Sequence, residues 1–90
     1  MTSDLALPDR LDRDAARDLH AVLLQRRGAD LTLDGSAVRT AGALATQVLV
    51  AAARDWVADG YALSLLASVP MQEDLTRLGV LNEFRLQEVT

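Results

Sequence analysis

Short segments with the pattern of a β-strand alternate along this chain with longer segments that have the pattern of an α-helix. The strand segments cover residues 5–8, 29–34, 61–69 and 82–89. Because one helical segment separates each pair of strands, the strands are expected to be parallel and joined by right-handed crossovers. We therefore predict one α/β domain over residues 1–90, with a mostly parallel sheet of about four strands and three main helices.

The first predicted helix follows Asp12, whose carboxylate is placed to accept hydrogen bonds from the free amides of the first turn. Its apolar residues recur three and four positions apart, at Ala15, Ala16, Leu19, Val22 and Leu23. The helix is expected to end near Gly28, with Arg26 and Arg27 in its last turn, where cations suit the helix dipole.

The second predicted helix runs from Thr40 to about residue 58 and ends at Asp59-Gly60. Its broad apolar stripe consists of Leu44, Ala45, Val48, Leu49, Ala52, Ala53 and Trp56. Val50 and Val57 lie outside this stripe, so the helix is expected to be covered on two sides.

The strand at residues 61–69 is almost continuously apolar, as is typical of a central parallel strand. Pro70 then opens a third helix over residues 71–78, and Gly79 ends it. Phe84 and Leu86 alternate with polar neighbours, which predicts a last edge strand.

Composition excludes several classes of function. The net charge is −4 and every basic residue is arginine, without a basic stripe, so nucleic acid is not an expected partner. The absence of cysteine excludes thiol catalysis and disulfides. The N-terminal residues lack the pattern of a signal peptide, and the longest mostly apolar run, residues 41–53, is too short to span a membrane. A cytoplasmic protein is expected.

The sequence contains no recognisable catalytic or metal-binding pattern. His20 is the only histidine, and no nucleophile is placed to use it as a general base. The carboxylates near the first helix have arginine neighbours and are expected to form a solvated face; they belong to Asp9, Asp12, Asp14 and Asp18. We therefore predict a protein that is not an enzyme and has no cofactor or metal.

The segment Asp34-Gly35-Ser36 breaks the second strand at the carboxyl edge of the predicted sheet. Ligands of open α/β sheets bind at this edge, so Asp34 is one candidate for a binding role. The alternative is an Asx-turn, in which the Asp34 side chain accepts from the amide of Gly35 or Ser36.

Thr40 lies where the second helix is predicted to begin. As an N-cap, its hydroxyl would accept from the amide of Gly42 or Ala43, a contact that contributes about 1 kcal/mol. As a phosphorylation site, it would place about −1.5 to −2 charges at the positive end of the helix, with Arg39 available to pair with the phosphate.

The chain resembles the STAS family, named after sulfate transporters and anti-sigma factor antagonists. Asp34-Gly35-Ser36 is similar to the end of a family strand, and Thr40-Ala41-Gly42 to the motif that opens the family's long helix. The tail from Asp74 to Val80 is similar to the family's last helix. Short bacterial stand-alone members are the most similar subgroup.

The resemblance implies a protein-interaction module whose phosphoacceptor, matched by motif, is Thr40. It implies partner binding through Asp34, Gly35, Ser36, Arg39, Thr40, Ala41, Gly42 and Ala43. The partner would be an anti-sigma factor or switch-protein kinase, and binding would release what that partner holds, which regulates transcription.

Two departures from the family pattern leave an alternative open. Arg39 stands where the family has aspartate, and the loop before Thr40 is shorter. If the family's spacing is kept, its aspartate and hydroxyl residue fall on Gly42 and Ala43, which provide no acceptor. The alternative is a constitutive accessory subunit of a chemosensory assembly or of a lipid-transporting ABC transporter ATPase, with no phosphate cycle.

Overall fold

The computed structural model describes residues 3–87. The elements in chain order are β1 (Ser3–Ala6), β2 (Arg10–Leu11), α1 (Arg13–Gln25), β3 (Leu31–Gly35), β4 (Thr40–Ala41), α2 (Ala43–Asp59), β5 (Leu63–Ala67), α3 (Val69–Arg77), a 3₁₀ turn (Leu81–Glu83) and β6 (Arg85–Leu86). The predicted last strand covered residues 82–89, but the 3₁₀ turn occupies its start and only Arg85–Leu86 form a strand. Its final two residues lie outside the described residues.

Four strands form the main sheet in the order β1-β3-β5-β6, and each neighbouring pair is parallel. This confirms the predicted α/β class with a mostly parallel four-stranded sheet and three helices. A second, two-stranded parallel sheet joins β2 to β4 and was not predicted.

The three helices cover one face of the main sheet. The chain moves to the adjacent strand in the same direction at every crossover, and right-handed crossovers then place all the helices on the same face. Along β5 the burial alternates accordingly, with Leu63 and Leu65 buried and Ser64 half-buried. The opposite face carries Asp4, Thr32, Ser64 and Arg85 in one row across the strands.

Helix α1 begins as predicted, because the Asp12 side chain accepts a hydrogen bond of 2.9 Å from the amide of Ala15. It ends earlier than predicted, at Gln25, so Arg26 and Arg27 lie beyond its last turn. Arg27 instead pairs with Asp59 at the end of α2, at 2.9 Å.

Helix α2 begins three residues later than predicted, at Ala43, and ends at Asp59 before Gly60, whose φ is +85°. The prediction that it is covered on two sides is wrong for the described residues. Val57 is 77% exposed and Val50 is only half-buried. Leu44, placed in the apolar stripe, is 48% exposed.

The core lies between the helices and the covered sheet face. Trp56 of α2 is 2% exposed, and its indole N–H donates to the carbonyl of Ala29 at 2.8 Å. Met71 and Leu75 of α3 are fully buried. No helix within residues 3–87 has the length and apolar character needed to cross a membrane.

Candidate functional site

Residues 34–43, called the recognition loop below, connect β3 to α2 and contain β4. Because β1, β3 and β5 are parallel, they end at the same edge of the sheet as this loop. Helices α2 and α3 begin at this edge, which gives the loop neighbours from both. All the site residues predicted from the sequence are therefore brought together at one end of the molecule.

Asp34 begins the loop with an Asx-turn. Its Oδ1 accepts hydrogen bonds from the Ser36 amide at 3.0 Å and from the Ser36 hydroxyl at 2.7 Å. The hydroxyl first, and the amide second, lower the pKa of the Asp34 carboxyl below its ordinary value. The Asx-turn predicted for Asp34 is therefore present, and its donor is Ser36.

Gly35 is required by close packing under the loop. A Cβ at this position would lie 2.7 Å from the sulfur of Met71 and 3.0 Å from the carbonyl oxygen of Leu66. The contact with Met71 is shorter than real Cβ atoms make, so a larger residue here would require the Met71 side chain to move, beside a carbonyl of Leu66 that leaves little room. The absent side chain allows α3 to approach the start of the loop.

Ser68 links the loop to α3. Its hydroxyl donates to the carbonyl of Val38 at 2.6 Å and accepts from the amide of Met71 at 3.1 Å, which caps α3. Ser68 was not predicted as a site residue, although a serine two positions before Pro70 is a known N-cap pattern that could have identified it. Val38 itself is 1% exposed and fixes the middle of the loop in the core.

Thr40 is not the N-cap of α2, and this prediction is wrong. It lies in β4 with its side chain exposed, and the helix is capped by Gly42, which makes no side-chain cap hydrogen bond. The amides of Arg39 and Thr40 both donate to the carbonyl of Asp9, at 2.7 and 3.3 Å. These bonds keep the backbone extended where the sequence pattern indicated a helix.

The next two amides also have fixed acceptors. The amide of Ala41 donates to Oδ2 of Asp74 at 2.9 Å, and the amide of Gly42 donates to the carbonyl of Leu11 at 3.0 Å. The other oxygen of Asp74 pairs with Arg77 at 2.9 Å. Asp74 was not predicted as a site residue, and no local sequence signal indicates a contact across 33 positions.

The loop therefore combines a fixed backbone with exposed side chains. Ser36, Arg39 and Thr40 are exposed, as are Gly42 and Ala43, whereas Gly35 and Ala41 are buried and Asp34 is half-buried. The arrangement presents one guanidinium and two hydroxyl groups to solvent on a rigid support.

The described residues contain no group of three or more acidic or histidine side chains placed to hold a metal ion. His20 lies exposed on α1, outside the recognition loop. The carboxylates near α1 are also exposed, at Asp9, Asp12, Asp14 and Asp18.

Comparison with known proteins gave no relative: no protein-family model, curated protein or solved structure matches the chain.

Proposed function

We propose that this chain is a non-catalytic, cytoplasmic protein-interaction module that binds a partner protein through the recognition loop. The proposal rests on one observation, which is that the loop has a fixed backbone and exposed side chains. Asp9, Leu11, Ser68 and Asp74 hold its backbone, while the side chains of Ser36, Arg39 and Thr40 are exposed. A preorganised surface of this kind loses little conformational entropy on binding.

An apolar groove beside the loop extends this surface. It has a volume of about 340 Å³ and runs along α2 from Ala43 to Arg54. Leu78 and Val80, which follow α3, line its other side. Leu78, which lines the groove, is 42% exposed. A partner that contacts Arg39 and Thr40 could also place apolar side chains in this groove and bury its apolar surface.

The resemblance to STAS domains supports an anti-sigma factor or switch-protein kinase as the partner. In this version the partner phosphorylates Thr40, whose side chain is exposed and whose neighbour Arg39 supplies a positive charge. The added phosphate would then weaken the complex by placing a bulky anion in the interface.

The occupied amides favour the second version, a constitutive accessory subunit of a chemosensory assembly or lipid-transporting ABC transporter ATPase. The amides of residues 39–42 already donate to Asp9, Asp74 and Leu11, so none is available to a phosphate on Thr40. The carboxylate of Asp74 also lies next to this site and would repel the phosphate.

A binding titration tests the module. The chain is mixed with the anti-sigma factor, chemosensory protein or transporter ATPase encoded beside its own gene, and the affinity is measured by calorimetry. We expect Arg39→Glu to weaken the complex at least about tenfold, because an interface charge is reversed. Arg26→Glu, an exposed position beyond the end of α1, is the matched control and should leave the affinity unchanged. Absence of a complex with every such protein would refute the proposal.

Intact mass after incubation with ATP and the cognate kinase separates the two versions. One added phosphate that is lost in Thr40→Ala supports the antagonist version. An unchanged mass, with a complex that Thr40→Ala leaves intact, supports the constitutive subunit.

A further inference from the structure

The outer edge of β1 is an unpaired strand edge. Within residues 3–87, β1 pairs only with β3. The amide of Leu7 donates to the carbonyl of Asp34 at 2.8 Å, so it points toward β3. Because backbone groups alternate in direction along a strand, the amides and carbonyls of Asp4 and Ala6 point outward. They form a template for hydrogen bonding to another strand.

An apolar groove lies directly beneath this edge, between β1 and α1. Its volume is about 450 Å³, and its apolar lining includes Leu5, Leu7, Ala15, Leu19 and Val22. A strand added to β1 would lie about 4.8 Å beyond it, and every second side chain would point toward the helix-covered side. Those side chains would fill the groove beside Leu5, which is only half-buried.

The surroundings of the groove are acidic. Asp9, Asp12 and Asp18 line it, with Arg10 as the one basic side chain in its lining. Asp4 lies on the opposite, open face of β1 and is exposed, so it would neighbour the outward side chains of an added strand. These charges favour basic residues in the occupant. They disfavour a second copy of β1, which would bring another Asp4 to the same edge.

We propose that the edge of β1 and this groove bind an extended segment of a partner protein in which apolar and basic residues alternate. The segment adds to the sheet as a further strand, with its apolar side chains in the groove and its basic side chains beside Asp4. Main-chain hydrogen bonds provide the affinity, and the groove and the carboxylates provide the selectivity. This surface adjoins the recognition loop at Asp9, whose carbonyl accepts from the amides of Arg39 and Thr40, but the proposal does not depend on the function proposed for the loop.

A peptide titration on the full chain tests this proposal. The probe is a blocked, fluorescein-labelled eight-residue peptide in which valine and arginine alternate, and binding is followed by anisotropy at two salt concentrations. We expect binding that weakens as salt rises. The matched peptide with glutamate in place of arginine should bind at least about tenfold more weakly, because it meets like charges.

Substitutions at the edge identify the site. Ala6→Pro removes an outward amide, which an edge strand tolerates, and should weaken peptide binding at least about tenfold. Ala6→Ser keeps the amide and is its matched control. Asp4→Asn combined with Asp18→Asn should weaken binding about threefold or more. Glu73→Gln, an exposed position on α3 outside the groove, should not change it.

Amide exchange on the unmodified chain provides a test that does not depend on the variants folding. The amides of Asp4 and Ala6 should exchange more slowly once the arginine peptide is bound.

Three results of these experiments overturn the proposal: absence of peptide binding, equal affinity for the glutamate peptide, or unchanged exchange at the amides of Asp4 and Ala6. So does self-association of the chain that Ala6→Pro abolishes, because the occupant is then a second copy. Loss of peptide affinity in Arg39→Glu also overturns it, because the peptide then binds at the recognition loop and not at the edge of β1.

Discussion

The recognition loop owes its shape to a few side chains and carbonyls that lie far from it in sequence. Ser68 holds the carbonyl of Val38 across 30 positions, and Asp74 holds the amide of Ala41 across 33 positions. Each bond satisfies a backbone group that no regular helix or sheet ladder satisfies at that point. The conformation of the loop is consequently fixed in the absence of a partner.

Asp34 gives the protein a predictable response to acid. Its folded-state pKa is lowered by the Ser36 hydroxyl and amide, so the ionised form is favoured by folding. This contribution to stability is present above the unfolded-state pKa of about 3.9, and is lost as pH falls through the lower folded-state pKa. We expect Asp34→Asn to lose less stability than the unmodified chain between about pH 5 and pH 2.

Urea unfolding at a series of pH values, followed by Trp56 fluorescence, measures this difference. Glu83, whose pKa is lowered by Arg54, contributes acid sensitivity to both proteins equally. Glu73→Gln, an exposed carboxylate on α3, is the control for removal of a charge. Identical pH profiles for Asp34→Asn and the unmodified chain would exclude Asp34 as a source of acid sensitivity.

Residue roles that depend on near neighbours could be predicted from the sequence, whereas those that depend on distant partners could not. The Asp12 cap uses an amide three positions away, and the Asp34 turn uses an amide two positions away. The Thr40 cap failed because the carbonyl of Asp9 takes two amides of the loop and holds its backbone extended. Nothing in the pattern around Thr40 indicates that acceptor.

The order of the main helices and strands followed from periodicity, whereas β2, β4 and the 3₁₀ turn, with two or three residues each, were not predicted. Strands β2 and β4 contain two residues each, too few for an alternation to be recognised. They form only because Arg10 and Leu11 lie beside Thr40 and Ala41 in the folded chain. This small sheet is nevertheless what delays the start of α2 from Thr40 to Ala43.

Substitutions in helix α2 should lower the stability of the protein only on the side of the helix that faces the core. Leu49 is fully buried, so Leu49→Ala removes core contacts and should lower the free energy of unfolding by about 2–5 kcal/mol. Val57 is 77% exposed, so Val57→Ala should change it by no more than about 0.5 kcal/mol. Chemical denaturation of the two variants and of the unmodified chain measures both changes in the free energy of unfolding. A loss of more than about 1 kcal/mol in Val57→Ala would mean that a second surface covers this helix.

Residues 3–87 form two layers, and no helix among them covers the second face of the main sheet. Parallel sheets usually carry helices on both faces. Here the uncovered face has a row of polar residues across four strands, at Asp4, Thr32, Ser64 and Arg85. Asp4 and Arg85 on the edge strands are exposed, whereas Ser64 is half-buried and Thr32 is buried. Parallel strands were predictable from the alternation of elements. The alternation did not give the order of the strands in the sheet, and this order is what places all the helices on one face.

A single layer of helices on the main sheet, as described for residues 3–87, implies one cooperative core. The buried residues form one cluster that reaches from Leu7 to Phe84, and the radius of gyration is 11.8 Å. We therefore expect two-state unfolding in urea, with the same midpoint by far-UV circular dichroism and by fluorescence of Trp56, the only tryptophan. Trp56→Phe combined with Phe84→Trp moves the fluorescent probe to the end of the core beside β6. If its fluorescence and circular dichroism also coincide, the domain unfolds as one unit; separated midpoints would show that the β6 side opens independently of α2.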